Sequence, residues 1–449
     1  MNTDPYTLSE EDIQEPPSRF WDQLKFLGPG FILSASIVGS GELIATTTLG
    51  ARAGFITFWV ILVSCIVKVA VQIEFGRHTI LTGETAMVAF NRLPGPRWGR
   101  ARWAVWVFFA LMLFKPLQVG GIVGGVAIIL NMVVPAVPLA VWAFAVAIVV
   151  ALMIYRGYYR FIERFSLWMF GFFTLFTLAA LFFLRYTSFA ISWADVASGL
   201  QFELPRAAVA VALGAFGITG VGGDEILAYS YWCLEKGYAA YSGPPDGSPD
   251  WRRRARGWIR PLELDATIAM VIYTLMTAAF YLLGAAVLHA QGTIPEGYRM
   301  VESLSAIYTE SLGPGARTAF LIGAFVVLFS TLFAALAAWT RQYSDIFGQL
   351  GWIDFFDPRQ RRRSIAVLGW VFPLLWASLF VFIQLPVAMV LAGGVVTSII
   401  LFLVLYAVLY FRYWDLDPAF RPTLLYDLAL WISVAFIVFV GAYGVYRLF

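Results

Sequence analysis

Charged side chains are scarce in this chain. Asp, Glu, Lys and Arg make up 13% of its 449 residues, 60% are hydrophobic, and the mean hydropathy is +0.76. Soluble domains carry about 25% charged and 45–50% apolar residues, so a soluble enzyme is excluded and a polytopic membrane protein is indicated. Cysteine is nearly absent. Cys65 and Cys233 lie in or beside apolar segments, carry no disulfide framework and leave the redox compartment unread. Histidine is as rare: His78 and His289, both near the ends of apolar segments, argue against an imidazole-rich metal site. With no nucleophile–base pair or metal–His cluster, a membrane enzyme is disfavoured. No nucleic-acid motif is present. The polar, acidic stretch up to Gln23 has no basic start before an apolar run. It therefore reads as a short, disordered cytoplasmic tail (1–25) and not as a cleavable signal peptide.

Long apolar runs fill the remainder, a single transmembrane domain over 26–449. A helical span needs about 20 mainly apolar residues. Eleven are expected, near 27–50, 55–77, 103–133, 138–154, 162–185, 206–232, 262–289, 316–340, 365–383, 386–411 and 427–447. The net charge of +3 says less than its distribution. Basic residues gather in alternate loops: Arg92 to Arg102, Arg156 to Arg164, Arg252 to Arg260, Arg359 to Arg363, and Arg412 with Arg421. The opposite loops carry little. The positive-inside rule then puts the N-terminus in the cytoplasm and the C-terminus outside, in the inner membrane if the source is bacterial. The Arg252–Arg260 loop reads first as a topology determinant and second as a contact for anionic lipid.

Glycine supplies the most informative pattern. An apolar run near the N-terminus is interrupted by Gly39-Ser40-Gly41-Glu42, and a later one by Gly217-Ile218-Thr219-Gly220-Val221-Gly222-Gly223-Asp224-Glu225. Spans one to five (26–185) and six to ten (206–411) share a length pattern, and each half opens with such a break. This fits a five-plus-five inverted repeat with a peripheral eleventh helix (427–447), and it points to the binding site of a secondary transporter. Backbone freed in a membrane must be satisfied internally or by ligand. Glu42, Asp224 and Glu225 are expected at half-helix N-termini, where acids also serve as simple caps. At mid-membrane depth, three acids at two breaks favour binding a cation over capping alone.

Two lysines complicate that reading. Lys68 and Lys115 fall near the middle of spans two and three. They either line a wet vestibule, snorkel, or pair with Glu42 or Asp224. Pairing would partly neutralise the site and make a small amine or zwitterion a credible substrate, and a fixed ammonium can also stand at a coupling-ion position. Gly120-Gly121 and Gly124-Gly125 read as close helix packing.

Several of these residues resemble one family. Gly28-Pro29-Gly30-Phe31 and Gly50-Ala51 in span one, Gln72 and Thr82-Gly83 in and after span two, Tyr229-Ser230 after the second break, and Ser330-Thr331 with Gly348 in and after span eight are similar to the natural resistance-associated macrophage protein (Nramp) family of divalent-metal transporters. The resemblance implies the LeuT-type fold, all-α, with helices one and six broken and the substrate between them. It also marks departures. The family's Asp-Pro-Gly-Asn falls on Gly39, Ser40, Gly41 and Glu42, and its Met-Pro-His on Gly222, Gly223 and Asp224, with Glu225 next. Coordinating carbonyls would fall on Ser36 and Thr219, beside Gly220, and an acidic position in span three falls on Gln118.

Without the thioether, the expected donors are oxygens. Carboxylate, carbonyl and water suit Mg²⁺, Ca²⁺ or Mn²⁺, whereas soft donors favour later metals. Nramp-related proteins that carry Mg²⁺ are a neighbouring group. The leading expectation is a divalent-cation carrier favouring Mg²⁺ over Fe²⁺ or Mn²⁺, with Glu42, Asp224 and Glu225 as metal ligands, weak or no proton coupling and no resident cofactor. A carrier of a small amine or amino acid, a channel, and a non-transporting receptor-like relative are the alternatives.

Overall fold

The computed structural model describes residues 4–155 and 159–448, and the side chains of Ala35, Ser36, Val38 and Ser40, of 155–170, and of 444–445 and 447–448 lie outside the described residues. Arg156, Arg160 and Arg164 of the second basic loop, and the candidate side chains of Ser36 and Ser40, are among those not described. Among the described residues the regular structure is helical apart from one hairpin of two two-residue strands, Arg97–Trp98 with Ala101–Arg102. We number the long helices in chain order. Helix α1 runs through Pro29–Ile37, Val38–Thr46 and Thr47–Ala53, and α2 is Phe58–Thr82. Helix α3 is split into α3a (Trp103–Met112) and α3b (Pro116–Val133). Next come α4 (Leu139–Tyr155) and α5 (Tyr159–Phe183). Helix α6 is split into α6a (Val209–Ile218) and α6b (Gly223–Lys236). The remainder are α7 (Pro249–Leu283), α8 (Ala316–Leu350), α9 (Pro358–Ile383), α10 (Pro386–Tyr410) and α11 (Leu424–Leu448). Among the described residues, eight helices are long and apolar enough to cross a membrane, and α4 and α5 contribute the shorter apolar stretches Leu139–Ile154 and Gly171–Tyr186.

Burial separates centre from rim. The apolar window of α6 is 89% buried, that of α11 only 33%. Exposed Leu424, Leu428, Trp431 and Phe439 give α11 a face suited to lipid. Helices α1 and α6 are held at the centre, α1 against α7 and α8, and α6a against α10. Glycine lets these backbones meet. A Cβ on Gly39 would collide with the Thr331 hydroxyl of α8, and one on Gly41 would sit 2.7 Å from the Ile218 carbonyl at the end of α6a. The two glycine-rich segments are therefore in direct contact.

The breaks differ in kind. Helix α6 is interrupted as expected: Thr219 is extended and Gly220 has φ of 63°. Helix α1 is not interrupted. Val38–Thr46 is wound as π-helix instead, a form common at functional sites. The reason lies just downstream. Thr46 donates its hydroxyl to the Gly41 carbonyl (3.0 Å), Thr47 to Glu42 (3.4 Å) and Thr48 to Ile44 (2.6 Å). Loosened carbonyls thus find partners inside the helix, and no extended gap is needed. Glu42 consequently stands inside a helix and not at a half-helix N-terminus.

A second difference is the N-terminal tail, which packs on the helical body and is not loose. Tyr6 is buried and donates to Glu235 at the end of α6b, Asp4 pairs with Arg361 at 2.8 Å, and Glu15 pairs with Arg253 at 2.5 Å. Complementary charge on the helix ends supplies the order that composition alone does not reveal.

Gly220 combines a left-handed backbone with close neighbours. A side chain there adopts a left-handed backbone, at about 1–2 kcal/mol, and its Cβ would lie 2.9 Å from the Cys65 Cα of α2. Gly220→Val is expected to lower thermal stability in detergent by several degrees, or to prevent a monodisperse elution peak. Wild-type stability would show that the break tolerates a side chain.

Candidate functional site

The polar centre is built around the α6 break. At its first side, α6a ends with free carbonyls, as every helix does. These carbonyls are not open to a ligand. Lys68 Nζ of α2 donates to the Phe216 carbonyl, to Thr219 O at 2.9 Å and to Gly217 O at 3.4 Å. Ser64, one turn earlier on the same face, donates to Phe216 O and Thr219 O at 2.9 Å each. The Thr219 hydroxyl donates back to Ser64 Oγ at 2.9 Å. The expectation that the Thr219 carbonyl serves a metal is therefore corrected: an ammonium and a hydroxyl already hold it.

At its second side, α6b opens with Asp224 and Glu225. The Gly222 amide donates to Glu225 Oε2 at 2.7 Å, so this acid is a helix cap. Gly223 is the first residue of the helix, and its close neighbours are Ile400 and Leu401 of α10. Asp224 pairs with Lys115: Oδ1 lies 3.0 Å from Nζ, both side chains nearly fully buried. Lys115 also donates to Gln118 Oε1 at 2.6 Å and to Thr397 Oγ1 of α10 at 2.5 Å. The lysine can reach them because α3 is not one span. It turns at 113–115 and restarts at Pro116, a residue suited to the first helical position. Gln342 of α8 donates to the Asp224 carbonyl at 2.7 Å.

Asp224, Glu225, Lys115 and Gln118 line one cavity with Ile32, Leu33, Trp232, Thr331 and Trp339, enclosing about 40 Å³. The walls come from α1, α3b, α6b and α8. That volume holds a water or two.

Glu42 is fully buried but turned elsewhere. Its Oε1 accepts from Thr277 of α7 at 2.8 Å, and its Oε2 has no hydrogen-bond partner among the described residues. No group of three or more His, Cys, Asp or Glu among the described residues is arranged to hold a metal ion. The structure thus brings Asp224 and Glu225 together with Lys115 and leaves Glu42 on the α7 side. The expected three-carboxylate ligand set is not assembled among the described residues: Glu42 is held by Thr277 and does not line the cavity.

Sequence reasoning passed over two buried residues at this centre. Asp265 of α7 accepts the Gly28 amide at 2.9 Å and the Gly30 amide at 2.5 Å, and Tyr229 donates to it at 3.1 Å. Thr277 holds Glu42. An acid inside an apolar run was the available signal for Asp265; a threonine gives none.

A π-wound helix and an interrupted one at the core, α1 against α6, beside a small polar cavity, define a membrane protein of the LeuT-type fold. A manganese transporter of Eremococcus coleocola, solved with an aromatic bis-isothiourea compound, shares this fold: 15% identity, 98% of this chain and 99% of that one covered, TM-score 0.55. So does MhsT, solved in complex with L-phenylalanine: 15% identity, 97% and 100% covered, TM-score 0.58. At the sequence level the chain is similar to the divalent metal cation transporter MntH of Xanthomonas campestris pv. campestris, 26% identical over 325 residues, 70% of this chain and 67% of that one. The family of natural resistance-associated macrophage protein-like sequences matches over residues 30–447, and the chain belongs to that family. It is an integral, multi-pass membrane protein.

Proposed function

We propose that this protein is an alternating-access carrier for a divalent cation, and that the ion meets Asp224 and Glu225 in the cavity between α1, α3b, α6b and α8. One observation carries this reading: two adjacent carboxylates at the start of α6b line a cavity of about 40 Å³. Membership in the family and the names of the relatives support it. The donor set is all oxygen, from carboxylates, Gln118 and Thr331, which favours a hard ion such as Mg²⁺ over Fe²⁺. Among the described residues the cavity is lined by no imidazole, and Gln118 stands where the family resemblance expects an acid. Transport is therefore uncoupled from protons or weakly coupled.

Uptake into proteoliposomes tests both points. Mg²⁺ is expected to enter without acidifying the lumen. Uptake of Mn²⁺ or Fe²⁺ with no Mg²⁺ uptake refutes the ion preference, and robust substrate-driven acidification refutes the absence of coupling.

A second reading has one observation in its favour. The Lys115–Asp224 pair presents an ammonium and a carboxylate side by side in the cavity, complementary to a small zwitterion. Thermal-shift titration with Mg²⁺, Mn²⁺ and small amino acids separates the two.

A further inference from the structure

Lys68 has no ion-pair partner among the described residues, although it is fully buried. Its ligands are the carbonyl oxygens of Phe216, Gly217 and Thr219, and its ammonium lies 4.6 Å from the centre of the Phe216 ring. This is the coordination of a bound cation: several carbonyl oxygens converging at a helix C-terminus, the negative end of the helix dipole. Burying an ammonium costs several kcal/mol even after relaxation. The ammonium brings three donors to three carbonyls and no acceptor of its own, a match that a neutral glutamine amide, with two N–H donors and a carbonyl oxygen, does not make. Glu225 and Glu42 are the carboxylates whose field reaches it, and α6a presents its own negative end there. The ammonium's positive charge offsets the negative end of α6a.

We propose that Lys68 is a built-in counter-cation. Its ammonium permanently fills an oxygen-lined monovalent-cation position at the end of α6a, and the carrier therefore cycles without a co-transported ion to fill it. The second clause rests on the transport reading above; the first does not. Ser64 completes the design. Its hydroxyl donates to two of the same carbonyls, so the oxygens remain aligned around the ammonium.

The test is chemical rescue of stability, which does not depend on what the protein carries. Purified wild type, Lys68→Ala and Lys68→Met are melted in detergent with N-methylglucamine, Na⁺, K⁺ or methylammonium chloride at one ionic strength. Wild type is expected to melt at the same temperature in all four. Lys68→Ala is expected to melt roughly 5 °C lower in N-methylglucamine and to recover, with a saturating dose dependence, in methylammonium or Na⁺. Lys68→Met, whose side chain fills the space without charge, is expected to fall and not recover. Lys68→Ala as stable as wild type in N-methylglucamine, or equally unstable in every cation, overturns the proposal. Should Lys68→Ala fail to fold, the wild type still decides. Substrate uptake that is unchanged when Na⁺ and K⁺ are replaced by N-methylglucamine supports a built-in cation, and uptake that requires either ion overturns it. Failure of divalent uptake alone would remove the transport reading and leave the melting result standing.

Discussion

Lys115→Met is expected to tighten divalent-cation binding, and Asp224→Asn to weaken it, each by about ten- to a hundredfold. The argument starts from the resting contact. Lys115 Nζ sits among Asp224 Oδ1 at 3.0 Å, Gln118 Oε1 at 2.6 Å and Thr397 Oγ1 at 2.5 Å. It occupies an oxygen-lined position that an incoming cation would claim. Opposite charges this close in a buried site attract strongly, so a tethered ammonium is a strong competitor for its own carboxylate. Removing it frees Asp224; removing Asp224 leaves the ion a poorer donor set. Both variants should lose stability without ligand, by about 3–5 kcal/mol, because each strands one buried charge. Lys115→Met should regain much of this when Mg²⁺ is added, since a ligand stabilises the state it binds. Isothermal titration and melting curves with Mg²⁺ check the pair. Opposite signs support a cation site. If both variants abolish binding of a small amino acid and neither changes binding of Mg²⁺, the ammonium belongs to the substrate site, and the zwitterion reading replaces the cation one.

The long helices were legible because lipid imposes a simple rule on composition, and the glycine interruption of α6 was legible because glycine is costly inside a helix. Helix ends were less so. Helix α7 starts at Pro249 and not near 262, and α8 continues to Leu350 and not 340. Hydropathy sees the segment that touches hydrocarbon, whereas the helices run on as amphipathic rods with Trp258, Asp345 and Ile346 buried. The turn in α3 left only the dipeptide Lys115-Pro116 as a trace. The π-winding of α1 depended on three threonine hydroxyls whose targets are carbonyls four and five residues back, a pattern that periodicity does not report. Pairing of Lys115 with Asp224 was one of the alternatives the sequence left open, and the choice needed the fold. Charge within the membrane was visible from the start; which charges meet was not, because α2, α3, α6 and α10 approach one another only in three dimensions.

Asp265→Ala is expected to be the most damaging single change outside the cavity: each stranded amide costs about 1–3 kcal/mol, and the melting temperature should fall by roughly 10 °C. The start of α1 explains why. Its first amides have no partners within the helix and need acceptors from elsewhere. Asp265 supplies them from α7, accepting Gly28 N–H on one oxygen and Gly30 N–H on the other, with the Tyr229 hydroxyl of α6b also donating to the second oxygen. Gly30 is required by the same contact: a Cβ there would lie 2.7 Å from Asp265 Oδ2. The Gly28-Pro29-Gly30 sequence thus reads as a receptor for a carboxylate from another helix, with proline at a position that lacks an amide to satisfy. Asp265→Asn retains one accepting oxygen but turns an NH₂ toward an amide donor, so it should fall between alanine and wild type. Gly30→Ala should reproduce much of the loss while leaving the carboxylate in place. This cap ties α1 to α7 and α6b, and α1 and α6b both wall the cavity through Ile32, Leu33, Asp224 and Glu225. Loosening it should therefore weaken cation binding as well as stability, although no atom of Asp265 lines the cavity. Melting curves of the three variants, with and without Mg²⁺, decide the matter. An unchanged melting temperature in Asp265→Ala would mean that the amides of α1 find other partners and that the glycines serve a different contact.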